Sequence, residues 1–401
     1  MMKKQQSSNY LLLVLVVLLL SITPACSTSV APQIPLLFPS SLPPTRTPFA
    51  PVPPTPTYLP TPFPTGTSQP TITPLPTNTP LPTVPPPTSP PPDQTITLLF
   101  TGVIVPARCV QSAIDSRGQA DYIFTEVAEY IQGADLSIGT LNATLSDSQP
   151  SVGCIQTYVL VGDSRSAAAM GSVGFDLMSV ATNHIKNCSL MNICEQAFFD
   201  TLDNLRQNNI LPIGAGSNHA EAMLPVVVEV KGVRFGFVSL GMVESLAFAG
   251  EDTHGIAILN EDNLRAAIAA ARQVSDIVIA MPHWGPEDTP IPNSWQLEYA
   301  RIAVDAGADL VVGNHTHVVQ AIDEINGIPV FYGLGNFVFD QNWARDHQQG
   351  VILIVTFQGK NLQGYELIPT HVDFDGTVHI AEEYEAQEII DRIESASSML
   401  P

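Results

Sequence analysis

Basic residues are scarce in this 401-residue chain: Lys and Arg together number 16, against 38 Asp and Glu. A surface this acidic repels phosphodiester backbones, which excludes nucleic acid as a partner. Long apolar runs are short of what a membrane span requires. The run Leu11–Leu20 has ten residues, where a helix crossing the hydrocarbon core needs about 20. None of the five cysteines stands in the Cys-x-x-Cys spacing of many zinc sites. No phosphate-loop signature occurs either; Gly214-Ala215-Gly216 allows close backbone approach but reads as a turn.

The N-terminus does contain an export signal. Lys3 and Lys4 precede the apolar run, and Ser21-Ile22-Thr23-Pro24-Ala25-Cys26 comes directly after it. A basic start, a short apolar stretch and small residues before a cleavage point make a secretory signal peptide. Cys26 directly after Pro24-Ala25 is similar to a bacterial lipobox, in which that cysteine is lipidated and becomes the mature N-terminus. Thr23 stands where Leu is usual. Ordinary cleavage near Ala25 and an uncleaved anchor are the competing readings, and all three export the remainder of the chain to the extracytoplasmic face.

Residues 31–93 hold 24 of the 36 prolines. With Thr and Ser between them, such a stretch has no apolar periodicity from which to pack a core. The expected division is therefore a signal segment 1–26, a disordered Pro/Thr-rich stalk 27–93 and one domain 94–401. As polyproline II the stalk reaches up to roughly 190 Å. The domain carries 13 basic and 37 acidic residues, a balance of −24. Its four cysteines, an even number in an oxidising compartment, suggest disulfides. Cys188 and Cys194 can close a small loop, and Cys109 with Cys154 is then the natural second pair among three possible connectivities. A zinc cluster competes with disulfides but lacks the usual spacing.

Short apolar runs recur through the domain: Thr95–Phe100, Ala134–Ile138, Phe175–Val180, Leu224–Val230, Val233–Leu240, Asp276–Met281, Asp309–Val312, Pro329–Tyr332 and Gly350–Phe357. Helical patterns lie between them at Tyr122–Ile131, Met191–Asn208, Asn260–Gln273 and Ser294–Ala306. Strands alternating with helices predict an α/β fold with a mostly parallel sheet. The Lys231-Gly232 turn predicts a hairpin, so the sheet should be mixed.

Polar residues concentrate just past four of these strands: Asn183-His184, His283-Trp284-Gly285, Asn314-His315-Thr316-His317 and Gly335-Asn336-Phe337. Ligands bind at that edge of open α/β sheets. In an extended backbone His315 and His317 would lie on one side, and curvature at Gly313 would let both reach one cation. A hydrogen-bonded polar cluster bracing the loops is the competing reading. Glu287 could orient one of the histidines, Trp284 should pack, and Asn336 should bond the backbone of a tight turn. His219, His254, His347, His371 and His379 have no comparable placement and read as surface or core residues.

Taken in order, Ala181-Thr182-Asn183-His184, Gly214-Ala215-Gly216 with Glu221-Ala222, His283-Trp284-Gly285 with Glu287, Gly307-Ala308-Asp309 with Gly313-Asn314-His315-Thr316-His317, and Tyr332–Phe337 are specific. Over about Thr95–Asp375 the chain resembles the poly-gamma-glutamate capsule-synthesis (CapA-type) family, which is metallophosphatase-like. The resemblance implies a four-layer α-β-β-α sandwich of the calcineurin-like kind, with a two-metal site at the strand ends. It also implies that Asn183, His283, His315 and His317 are metal ligands and that His184 is a general acid.

Three positions depart from the family pattern. Val103 follows Gly102 where the family has Asp; Asn142 stands where it has Glu; and Asn187 replaces an Asp three residues beyond His184. Hard ions depend on carboxylate charge, so the histidines would suit at most one divalent ion, Zn²⁺ or Mn²⁺. The expectation is a cell-surface lipoprotein of polyglutamate or related envelope-polymer assembly. Its partners would be the membrane, through a lipid or signal anchor, and an anionic polymer or the polymer's synthesis machinery. A metal-dependent phosphoester or amide hydrolase and a non-catalytic scaffold are the alternatives.

Overall fold

The computed structural model describes residues 94–401; the signal segment, Cys26 and the stretch 27–93 lie outside the described residues. No helix among the described residues is long and apolar enough to cross a membrane.

Two mixed sheets carry the fold. The first runs in the order Val378–Ile380, Asn361–Val372, Gln349–Gln358, Thr95–Ile104, Leu136–Leu141, Leu177–Ser179 and Leu211–Ile213, with Asn336–Val338 pairing to Thr95–Ile104 in parallel. The second runs Ile322–Ile325, Ile328–Phe331, Leu310–Val312, Ile277–His283, Val233–Gly241 and Val226–Val230. Alternate side chains along each strand enter different cores, as the period of two requires. From the first strand, Ile96, Leu98 and Phe100 meet Phe235, Ile279 and Leu310 of the second sheet. Leu99 and Ile104 turn the other way, onto Ile114, Met170 and Leu202 of the covering helices. The second sheet's outer face, with Val278, Ala280 and Val311, packs on Leu264, Ile268, Ala300 and Ala303 of helices Glu261–Val274 and Ser294–Asp305. The layers are helix, sheet, sheet, helix, the four-layer sandwich that the resemblance implies.

Several boundaries differ from the sequence reading. The pattern at Tyr122–Ile131 is a 3-10 turn, Asp121–Phe124, followed by a short helix, Ala128–Gly133. The strand expected at Ala134–Ile138 runs from Leu136 to Leu141, and that expected at Asp276–Met281 extends to His283. Both extensions carry the chain further toward the polar rim, because the neighbouring parallel strands continue the ladder. The hairpin turn at Lys231-Gly232 has positive φ at both residues, 50° and 81°, the mirror-image geometry that matches strand twist.

Candidate functional site

Parallel pairing places the ends of Thr95–Ile104, Leu136–Leu141 and Leu177–Ser179 at one rim, and those of Ile277–His283, Leu310–Val312 and Ile328–Phe331 at a rim of the second sheet. A bridge between His283 and Asn314 continues the latter ladder past its strands. His283 is the last residue of its strand and is 1% exposed. Its Nε2 lies 3.0 Å from Asn183 Oδ1 and 3.2 Å from His315 Nδ1. Three separate segments thus bring three donor atoms to one buried point.

The extended geometry expected for His315 and His317 is not what the loop adopts. Both have positive φ, 107° and 61°, a region non-glycine residues seldom occupy unless surrounding contacts enforce it. Just before them the chain packs closely at Gly313, where a Cβ would meet Trp284 Nε1 at 2.3 Å and the Tyr332 carbonyl at 2.4 Å. Trp284, fully buried, donates Nε1–H to that carbonyl at 2.9 Å. The two imidazoles diverge as a result. His315 Nδ1 turns to His283, whereas His317 Nδ1 takes the Asn336 Oδ1 oxygen at 2.8 Å. Asn336 gives its amide hydrogens to Gln341 Oε1 and the His347 carbonyl, so its oxygen can only accept and His317 carries its proton on Nδ1. Asn336 therefore holds His317 by its oxygen as well as bonding backbone.

His184 is fixed by the same logic. Its backbone N–H donates to Asn142 Oδ1 at 3.0 Å, and its Nδ1 lies 2.8 Å from Asn187 Oδ1. That oxygen also accepts the Leu160 N–H at 2.8 Å, so Nδ1 of His184 is the protonated nitrogen. Burial pushes all four imidazoles down: His283 and His184 below the ordinary value, His315 to about 3 and His317 to about 4. Mutual repulsion lowers His283, His315 and His184 further, while the Asn336 bond raises His317 only in part. The cluster is uncharged at neutral pH. Glu287 Oε1 stands 3.9 Å from His315 Nε2 and 4.0 Å from His317 Nε2. Burial, followed by repulsion from Asp288, raises its carboxyl.

Of these groups His184, His317 and Glu287 open on a cavity of about 650 Å³, lined also by Arg108, Tyr158 and Trp343 among others. The far wall is where the sequence reading was silent. Arg108 and Asp340, 6% and 3% exposed at their side chains, form a buried ion pair. Arg108 Nε donates to Asp340 at 3.0 Å, and one terminal nitrogen donates to the Thr157 carbonyl at 3.1 Å. His347, which the sequence left unassigned, bonds Asp288 at 2.6 Å. The Arg108–Asp340 pair had one available signal: lone charges directly after apolar strand-end runs. The segment 149–160, which supplies Thr157, Tyr158 and Leu160, is tied to the domain by a Cys109–Cys154 disulfide, and Cys188 pairs with Cys194.

The donor set bears directly on a metal. Ligands around one tetrahedral ion with bonds of about 2.1 Å lie roughly 3.4 Å apart, and Asn183 Oδ1, His283 Nε2 and His315 Nδ1 approach that spacing. All three are neutral. Among the described residues no three His, Cys, Asp or Glu side chains come together as a metal group, so the trio depends on an amide oxygen. Where further carboxylates would be needed, Val103 is 1% exposed and Asn142 is fully buried, its Nδ2 without a partner. Asn183, His283 and His315 are the groups that could hold one ion, and neither Val103 nor Asn142 supplies a carboxylate for a second.

The family model for the bacterial capsule synthesis protein PGA_cap matches residues 97–341, more than half of the chain. The chain is 29% identical over 262 residues to the PGA biosynthesis protein CapA of Bacillus subtilis (strain 168), covering 65% of this chain and 67% of that protein. To the capsule biosynthesis protein CapA of Bacillus anthracis it is 29% identical over 269 residues, 65% of this chain and 64% of the relative. The matches therefore span about two thirds of those relatives' lengths. Among solved structures, a putative 5'-nucleotidase from Staphylococcus aureus aligns at 14% identity and a TM-score of 0.43, covering 75% of this chain and 58% of that one.

Proposed function

The chain belongs to the bacterial capsule synthesis (PGA_cap) family, and from that premise we propose that it serves the assembly of poly-gamma-glutamate or a related envelope polymer at the outer face of the cell membrane. In this reading Cys26, lipidated, or the uncleaved signal segment, tethers the chain. Residues 27–93 hold the domain away from the bilayer, and the histidine cleft takes one divalent ion, Zn²⁺ or Mn²⁺.

The observation that carries the cleft assignment is the convergence of Asn183 Oδ1 and His315 Nδ1 on His283 Nε2, at 3.0 and 3.2 Å. Asn183, His283 and His315 would hold the ion, and Glu287 faces the outer nitrogen of His315, the position from which a carboxylate orients a ligand imidazole. When bound, such an ion polarises a substrate oxygen and acidifies water. His184 lines the same cavity. Burial keeps it neutral, and a neutral imidazole is a poor general acid at pH 7. That favours an assembly role without rapid turnover. A metal-dependent hydrolase of phosphoesters or amides is the second reading, supported by the cavity that His184 shares with Glu287.

Elemental analysis after dialysis against zinc and gel filtration tests the cleft. One ion per chain is expected, and His315→Ala should abolish it. Two tightly bound ions, or unchanged content in the variant, would refute the assignment.

A further inference from the structure

The cavity that His184, His317 and Glu287 line has hydrogen-bond donors without partners and no uncompensated cation. A guanidinium has five N–H bonds. In Arg108 the Nε–H and one hydrogen on each terminal nitrogen go to Asp340 and the Thr157 carbonyl, which leaves two. Gln341, 8% exposed, accepts from Asn336 Nδ2 through Oε1, while its Nε2 has no hydrogen-bond partner among the described residues. Arg108 and Gln341 both line the cavity.

The charges on the wall point one way. Asp340 cancels Arg108 at contact. Glu287 and Asp288 also line the cavity, and no second Arg or any Lys does. Even one divalent ion on the neutral Asn183, His283 and His315 would only bring the sum with those two carboxylates to zero. A phosphate dianion entering here gains no net attraction and loses its hydration. A carbonyl oxygen of an uncharged amide needs donors and no counter-charge, and donors are what remain. Trp343, 53% exposed, offers a flat apolar face at the same cavity, suited to stacking on a planar amide.

We propose that this cavity recognises uncharged amide units of an amide-linked chain, with the unpartnered Arg108 and Gln341 donors on carbonyl oxygens and Trp343 along the amide plane, in preference to a phosphoester. The proposal rests on the reading that this cavity is the working site, and it names the substrate class of that site. Charged groups of such a chain would stay at the mouth, in water.

The test tracks the Trp343 indole N–H signal by NMR, assigned with Trp343→Phe, as acetyl-Gln-Gln-amide, inorganic phosphate or phenyl phosphate is added to the domain. The amide probe should shift the signal saturably, and neither phosphate should do so at equal concentration. Gln341→Leu should weaken amide binding about tenfold, the effect of about one lost hydrogen bond, and should lower the Tm as well, because Oε1 also accepts from Asn336. Should that variant misfold, Gln341→Glu, isosteric but without the two donors, gives the same reading. The paired change Arg108→Gln with Asp340→Asn should weaken it as well. Phosphate binding as tight as the amide's, or full amide affinity in the Gln341 variants, overturns the proposal. The zinc stoichiometry is measured separately, so loss of metal binding with amide binding intact would refute only the metal assignment, and the reverse only this one.

Discussion

Acid should unfold this domain earlier than its carboxylates alone would. The cause is the buried imidazole cluster. In the unfolded chain a histidine takes a proton below about pH 6.5. In the fold His317 resists until about pH 4 and His315 until about pH 3, because protonation would bury a charge. Protons therefore bind the unfolded chain preferentially, so the stability these residues contribute is fully present above pH 6.5 and is lost as pH falls toward 4. Each pH unit costs up to about 1.4 kcal/mol per proton, and the unfolded imidazole is only half protonated at pH 6.5, so between pH 6.5 and 5 the two residues together remove about 3 kcal/mol. That is a large part of the roughly 5–15 kcal/mol that holds a domain together. Unfolded carboxyls bind few protons until about pH 4.5, so the window from 6.5 to 5 isolates the imidazoles. His379 works in the opposite sense. Burial lowers it, but bonds to Glu126 and Asp373 win and raise it, so its contribution is present below pH 6.5 and lost as pH rises. The assay is urea unfolding at half-unit pH steps in EDTA, comparing the native domain with His317→Gln, which cannot take up a proton. The native domain should lose stability across the window, and the variant should lose less by the share of one imidazole, about 1.5 kcal/mol, because His283, His315 and His184 still resist protonation in it. Equal stability at pH 7 and pH 5 would refute the reasoning.

Other consequences can be checked more briefly. Gly313→Ala drives a methyl into Trp284 Nε1 and the Tyr332 carbonyl and should cost about 1–3 kcal/mol, with His315 and its zinc affinity displaced; calorimetry and zinc titration read both. Cys154→Ser opens a loop of 45 residues and should lower stability by up to about 4 kcal/mol, while loss of the Cys188–Cys194 link, which spans 6, should cost roughly half as much in the same urea assay. Val103→Asp with Asn142→Glu buries carboxylates where the chain has none. The double variant should melt lower than the native domain in EDTA and recover in excess Mn²⁺, with metal content rising above one per chain; no gain in metal would show that the rim no longer has room for a second ion.

The strand cores were legible because strands buried on both faces read as continuous apolar runs, as at Asp276–Met281 and Gly350–Phe357. Asn361–Val372 escaped notice because, as a strand near the edge of the first sheet, it alternates partly buried with exposed residues and so gives no continuous apolar run. Helices Cys109–Arg117 and Ser164–Val173 were missed because small and polar residues blur their stripes. At the rim, Asn and His past the ends of apolar strands could be read directly. Which nitrogen of each imidazole meets which partner could not, since that depends on the left-handed backbone at His315 and His317 and on amides as distant as Asn187 and Asn336. The opposite wall left still less trace. Residues 149–160 have no periodicity, and contacts far along the chain, to Arg108, Cys109, Thr144, Asn187 and the backbone around Leu190, give them a place.

That wall has a consequence for when the cavity is whole. Between Gly153 and Leu160 the segment is joined to the rest of the domain by one sulfur–sulfur bond and by hydrogen bonds at Thr157 and Leu160. Where thiols stay reduced, as in a cytoplasm, three hydrogen bonds, one at Thr157 and two at Leu160, would have to hold Gln156 and Tyr158 in position. Under the proposed export, formation of the Cys109–Cys154 bond in an oxidising compartment would be what fixes this wall of the pocket.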